Sequence, residues 1–95
     1  MKELHFTESD HDEIIKITKA IGSATRLKIV QLLVNQELDI SRLAETLNQT
    51  EANVSSQVNQ LEKAGLIESR YEPGTHGVRK INKTAVSKIT IVLKS

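Results

Sequence analysis

Ser41 to Gly65, SRLAETLNQTEANVSSQVNQLEKAG, decides the reading of this chain. It spells a short helix, a tight turn and a longer helix. In the first helix Leu43, Ala44 and Leu47 fall on one side. In the second, Val54, Val58 and Leu61 recur at i, i+4 and i+7, the apolar stripe of a helix packed on one face. Opposite that stripe lie Asn53, Ser56, Gln57 and Gln60. A solvated helix face more often carries Lys and Glu. Asn, Gln and Ser donate and accept hydrogen bonds without the solvation cost of a charge, which suits base edges in a DNA major groove. The spacing is that of a helix-turn-helix with its second helix presented outward.

The local signals agree. Ser41 is placed to cap the first helix, Asn48-Gln49 to turn the chain, and Thr50 to cap the second helix, with Glu51 favourable at its positive end. Gly65 stops that helix as a left-handed C-cap, and Leu66 beyond it folds back. Upstream, a first helix is expected from about Asp12 to Ile21, with Ile14, Ile17 and Ile21 in one stripe and Ile15 broadening it. Gly22 breaks the pattern. Ser23 caps a second helix running to about Leu33 or Val34, with Leu27, Val30, Leu33 and Val34 inward. Leu38-Asp39-Ile40 reads as a short strand.

Downstream, Leu66 to Glu72 and Gly77 to Asn82 read as two strands joined by the turn Pro73-Gly74-Thr75-His76. Thr84 is placed to cap a last helix from Ala85 to about Leu93, with Ala85, Val86, Ile89, Val92 and Leu93 apolar. Ile89, Thr90, Ile91 and Val92 are β-branched and suit a strand as an alternative. Residues 1–10 form a polar arm with Leu4 and Phe6 as its large apolar anchors, ahead of one domain over residues 11–95.

Three stretches carry a family resemblance: IGSATRLKIVQLL, then DISRLAETLNQTEANVSSQVNQLEKAGLIESR, then the Gly-containing hairpin. From about Ile14 to Lys83 the chain resembles winged-helix regulators of the ArsR type, and Leu-x-x-Ala-Gly-Leu-Ile is shared with MarR-like regulators. The resemblance implies a mainly α fold with a small β-hairpin, a winged helix-turn-helix in the order helix, helix, strand, helix, helix, strand, strand, helix. It places Glu51, Ala52, Asn53, Ser55, Ser56 and Gln57 in the major groove, with Gln60 on the same polar face. It makes the hairpin a wing, where Thr75, His76, Arg79 and Lys80 meet the minor groove or its flanking phosphates. Arg70 and Lys83 lie nearby, and strand alternation leaves at least one of Arg79 and Lys80 free for DNA. It implies a homodimer through the first and last helices, using Ile14, Ile17, Ile21, Val86, Ile89, Val92 and Leu93. Relatives often carry Arg or His where this chain has Ser56 and Gln57, so more of the binding energy falls to the wing. Arg26 matches an Arg of similar regulators and is read as structural rather than as a phosphate contact.

Composition bounds the rest. Ninety-five residues make one small domain. With one Phe, one Tyr and no Trp, the core must come from Ile, Leu and Val. Formal charge is only +1, but residues 66–95 hold six basic and two acidic side chains, a balance of +4, where phosphate contacts need it. Without Cys there is no disulfide, thiolate metal site or Cys nucleophile. The N-terminus shows no signal-peptide core, and no apolar run approaches the roughly 20 residues that span a bilayer. A cytoplasmic protein is expected.

Metal sites of ArsR-type regulators use Cys near the third helix, or His and acidic ligands on the last. Here Leu38 to Arg42 has no Cys, and Thr84 to Ser95 has no His, Asp or Glu. His5, Asp10, His11, Asp12 and Glu13 match no metal motif by spacing. No metal and no cofactor are expected. Scattered His residues and the absence of a nucleophile elbow or P-loop argue against an enzyme. The expected function is sequence-specific binding of double-stranded DNA as a homodimeric transcriptional repressor. The alternatives are a winged-helix protein-interaction module and a nonspecific architectural DNA-binding protein.

Overall fold

The computed structural model describes residues 1–94. Its elements run β1 (Lys2–Phe6), α1 (His11–Ile21), α2 (Ala24–Leu32), β2 (Leu38–Asp39), α3 (Ile40–Leu47), α4 (Glu51–Lys63), β3 (Ile67–Gly74), β4 (Gly77–Thr84) and β5 (Val86–Ile91). The apolar stripes meet in one core. Ile29, Leu43, Val54, Val58, Leu61 and Leu66 are fully buried, joined by Ile17, Leu33 and Val86. Each such side chain contributes roughly 1.5–3 kcal/mol of transfer free energy, so the helix-turn-helix is held from behind by its own apolar stripe.

Caps fix the helix ends. The Ser23 hydroxyl accepts from Arg26 N and that of Thr50 from Asn53 N. Asn48 turns α3 into α4 at φ 54°, and Gly65 ends α4 at φ 79°. Beyond it, Leu66 N donates to Leu61 O at 3.0 Å, closing the helix as a glycine C-cap requires. The cap of α3 is Asp39, two residues ahead of the expected Ser41: its Oδ1 accepts from Arg42 N at 2.8 Å. Ser41 lies in the first turn instead and donates to Glu51 Oε1 at 2.7 Å. In α2 the inward residue is Ile29, while Leu27 is 42% exposed. Apolar residues lie all round this helix, so its period does not select a face; packing on α4 does.

The wing is a three-stranded antiparallel sheet in the order β2-β4-β3. Gly74 and Gly77 face each other and leave Thr75-His76 as a two-residue turn, with Gly77 at φ 115°. Pro73 lacks an amide hydrogen but sits in the edge strand β3, where none is needed on the open side. Asn82 is fully buried, donating to the carbonyls of Leu38 and Lys80 and accepting from Ser69 Oγ at 2.7 Å.

The ends of the chain depart from the expectation. Among the described residues the expected last helix does not form: Val86–Ile91 are β5, which pairs in parallel with β1. Among the described residues the fold therefore has four helices and five strands rather than five helices and a hairpin. Ser95, beyond the expected helix, lies outside the described residues. Thr84 caps nothing. It is buried, and its hydroxyl donates to Val30 O at 2.8 Å. Val86, Ile89, Thr90 and Ile91 are crowded in a helix and favoured in a strand, and the N-terminal arm supplies the partner. Leu4 pairs with Ile89 and Phe6 with Ile91. Leu4, Phe6 and Ile89 pack against the core, and Val92 N donates to Phe6 O at 2.9 Å. The arm is thus a strand of the fold.

Candidate nucleic-acid interface

α4 turns Val54, Val58 and Leu61 into the core at 0% exposure. The opposite face follows from helical spacing. Glu51, Ala52, Asn53, Ser56 and Gln60 are exposed, and Ser55 and Gln57 are half-buried. The structure thus brings this set onto one helix, with the polar members outward.

Their amides are not independent. Arg26 Nη1 donates to Gln57 Oε1 at 2.8 Å, and Gln57 Nε2 donates to Asn53 Oδ1 at 3.2 Å. Asn53 Nδ2 donates to Gln49 Oε1, and Gln49 Nε2 donates to Thr25 Oγ1 at 3.1 Å. The chain of bonds begins and ends on α2. Arg is a donor only, so Arg26 fixes Gln57 with its oxygen inward, and the direction passes along every amide. Each amide keeps one N–H and one lone pair for a ligand, so the face presents donors and acceptors in a set order. Asn and Gln pair with adenine N6 and N7 through one donor and one acceptor. Arg26 is anchored behind the face: Nε donates to Ala20 O at 2.6 Å and Nη2 to Lys19 O at 3.2 Å, satisfying carbonyls at the end of α1. No acid pairs with it among the described residues. Sequence reasoning singled out Asn53, Gln57 and Arg26. It missed Thr25 and Gln49 as members, because contacts of α2 with α4 and with the turn before it have no local signature.

The wing tip, Thr75 and His76, is exposed. The wing cations are engaged within the fold. Arg79 Nη2 lies 2.8 Å from Asp39 Oδ2, and the Arg79 side chain is 49% exposed. Lys80 pairs with Glu62 and donates to Asn59 Oδ1 at 3.1 Å, and its side chain is 14% exposed. Arg70 pairs with Glu37 and Glu72, and Lys83 with Glu68. Strand alternation does put Arg79 and Lys80 on opposite faces, yet each meets an acid. Three of those acids, Glu37, Asp39 and Glu62, lie outside residues 66–95. The +4 balance of that segment is therefore offset by residues the fold brings to it.

These pairs shift the acids. The hydrogen bond from Arg70 holds Glu37 below the usual carboxylate range. Burial pushes Asp39 upward, but the Arg42 amide and the hydrogen bond and charge of Arg79 outweigh it, so Asp39 also ends below its ordinary value. Hydrogen bonds from Arg70 to Glu37 and Glu72 raise the Arg70 guanidinium further.

The residues expected at a dimer interface divide. Ile17 and Val86 are buried within the protomer; Ile14, Ile21, Ile89 and Val92 are half-buried; Leu93 is 83% exposed. Ile15 is 51% exposed on α1. Among the described residues no three His, Asp or Glu side chains gather as a metal site, and no helix is long and apolar enough to cross a membrane.

Known proteins share the family segment and the fold. Residues 23–69, the segment from the α2 cap into β3, match the family described as bacterial regulatory protein, arsR family. An HTH-type transcriptional regulator of Methanocaldococcus jannaschii, itself uncharacterised, is 32% identical over 63 residues, covering 65% of this chain and 71% of the relative. The homodimeric winged helix-turn-helix DNA-binding domain Mb0332 of Mycobacterium bovis, a possible ArsR-family regulator solved by NMR, superposes with a TM-score of 0.69 at 28% identity. That match covers 78% of this chain and 65% of that one. HlyU from Vibrio cholerae superposes at 0.74, covering 84% and 83%, and at 21% identity it attests the fold alone. With an arsR-type segment that contains both helices of the turn and the polar face they present, the chain belongs to the ArsR family of winged helix-turn-helix, DNA-binding transcriptional regulators.

Proposed function

We propose that this protein is a sequence-specific repressor that reads duplex DNA through α4 and the wing. The observation that carries the reading is the ordered row Gln49, Asn53 and Gln57, locked to α2 and backed by a buried stripe. A merely solvated helix face has no need of such order; base-edge recognition gains from groups preset in position. Glu51, Ala52, Ser55, Ser56 and Gln60 complete the groove-facing set. At the wing, Thr75, His76 and the half-exposed Arg79 meet the minor groove and its phosphates, while Lys80 ties the wing to α4 through Glu62. Repression requires only that a promoter be occupied. The reading places the protein in the cytoplasm with its DNA.

The protein acts as a homodimer in this reading. Support comes from the homodimeric state of the 28%-identical relative and from the small size of the domain. The surface is α1 with the β1–β5 ribbon: Ile14, Ile15 and Ile21 on the helix, Ile89 on the strand, and Val92 and Leu93 beyond it. A twofold arrangement would set the two α4 helices about 34 Å apart, one DNA turn, and call for a near-palindromic site. No metal acts as effector: the chain has no Cys, and Thr84 to Ser95 offers no His or acid.

Selection of bound fragments from genomic DNA tests the function. A shared, near-palindromic sequence among the selected fragments supports it. Capture of random fragments with equal affinity would point to an architectural protein, and no capture at all to a protein-interaction module.

A further inference from the structure

We infer that Lys16, Lys19 and Lys63 form a DNA-phosphate site beside the recognition helix. This rests on the reading that α4 enters the major groove. The three lysines line one recess of about 240 Å³ between α1 and the end of α4, together with Ala20, Gln60 and Ala64. All three are exposed, and none pairs with an acid among the described residues. No acid lines the recess. The contrast with the wing is the argument. There every cation of the hairpin already meets a carboxylate, so its charge is partly neutralised before a phosphate arrives. A phosphate at the lysine recess displaces only water and counterions, and the release of counterions is what drives protein–DNA association.

The recess is also continuous with the reading face. Residues 53, 57, 60 and 64 follow one another along α4 at intervals of three and four, so they share a face. Gln60 belongs both to that face and to the recess. Arg26, which orders Gln57, bonds the carbonyls of Lys19 and Ala20 and so ties the end of α1 to the same place. A helix lying in the major groove has a phosphate strand along its flank. The recess is where this protein meets that strand. The ligand is the sugar–phosphate backbone, recognised by charge alone, so the site adds affinity and not sequence preference.

The structural alternative is that Lys19 and Lys63, each in the last turn of its helix, only complement the helix dipole. The test is the salt dependence of duplex binding by the intact protein, measured from 50 to 200 mM salt. Wild type is compared with the triple variant Lys16→Ala/Lys19→Ala/Lys63→Ala and with Arg79→Ala/Lys80→Ala. Each phosphate contact contributes about 0.9 to the log–log slope. The triple variant is expected to lose about 2 to 3 per protomer from the slope, so about 5 for the proposed dimer, and keep its preference for the selected sequence over a scrambled duplex. The wing variant is expected to lose about 1 or less per protomer. A triple variant with wild-type slope, whether or not its melting temperature falls, overturns the site and leaves the DNA reading standing. A wild type that binds no duplex overturns both.

Discussion

The Asp39 carboxylate joins α3 to the wing by binding Arg79. Its Oδ1 accepts from the Arg42 amide at 2.8 Å, while Oδ2 accepts from Arg79 Nε at 2.9 Å and lies 2.8 Å from Nη2. One side chain thus caps a helix of the helix-turn-helix and holds a cation of the hairpin 40 residues away. Asp39 is also the last residue of β2, paired with Ile81 of β4. The two parts that flank DNA in the proposed complex are therefore set against each other through one acid.

Removal of this acid should cost stability in a pH-dependent way. Asp39→Ala is expected to lose about 0.5–2 kcal/mol for the cap, with at most about 1 kcal/mol more for the partly exposed pair. Because the folded state holds Asp39 below its ordinary value, the stabilisation is complete above the unfolded-state pKa and fades as pH falls through the folded one. Urea melts from pH 7 down to pH 3 are the check. The gap between wild type and variant should be constant at neutral pH and narrow in acid. A gap of the same size at every pH would mean that the carboxylate charge is not involved.

Base discrimination should depend on the amide row. Gln57→Ala and Asn53→Ala are each expected to weaken binding to the selected sequence by about 1–3 kcal/mol while leaving scrambled duplex nearly unaffected. Titrations on both duplexes decide the matter. If neither variant alters discrimination, α4 does not read bases through these residues.

Arg26 should act through Gln57 rather than through DNA. Arg26→Lys keeps the charge but loses the planar fork that reaches two carbonyls and one amide. Expected results are a stability loss of about 2 kcal/mol from the broken charge-assisted bonds, lower discrimination between selected and scrambled duplex, and an unchanged salt slope. A slope reduced by about 1 per protomer, with discrimination intact, would instead make Arg26 a phosphate contact.

Sedimentation should give a dimer at micromolar concentration. Ile89→Glu and Ile15→Glu are both expected to dissociate it and to abolish binding to the near-palindromic site. Ile89 also packs on the core, so its variant tests fold and interface together. Ile15 is 51% exposed and its variant keeps the protomer core intact. A monomeric wild type, or an Ile15→Glu protein that is still dimeric with normal affinity, would rule the surface out.

Zinc should not bind tightly. Calorimetric titration is expected to show no stoichiometric site, and DNA affinity should be the same with zinc and with chelator. A submicromolar site that changed DNA affinity would overturn this.

The sequence alone determined the helix-turn-helix. Val54, Val58 and Leu61 repeat at the helical period; Thr50 and Gly65 mark the ends of α4; Asn48 marks the turn. These are short-range signals, set by backbone sterics and by polar groups within a few residues, and they can be read without knowing the partner. They also placed Asn53, Ser56 and Gln60 on the outer face. From the sequence the terminal segment reads as a helix, with Thr84 as its cap, and the strand that Ile89, Thr90 and Ile91 suit is only the alternative. Tertiary structure decided it, because β5 forms only where Lys2–Phe6, over 80 residues away in the chain, lies beside it. The electrostatics were decided in the same way. Net charge by segment pointed to the wing, but a count along the chain does not show that Glu37, Asp39 and Glu62 come to meet Arg70, Arg79 and Lys80. Charge interactions act through space over a few ångströms, so only the folded arrangement fixes which cations are neutralised and which, at Lys16, Lys19 and Lys63, are left for a ligand.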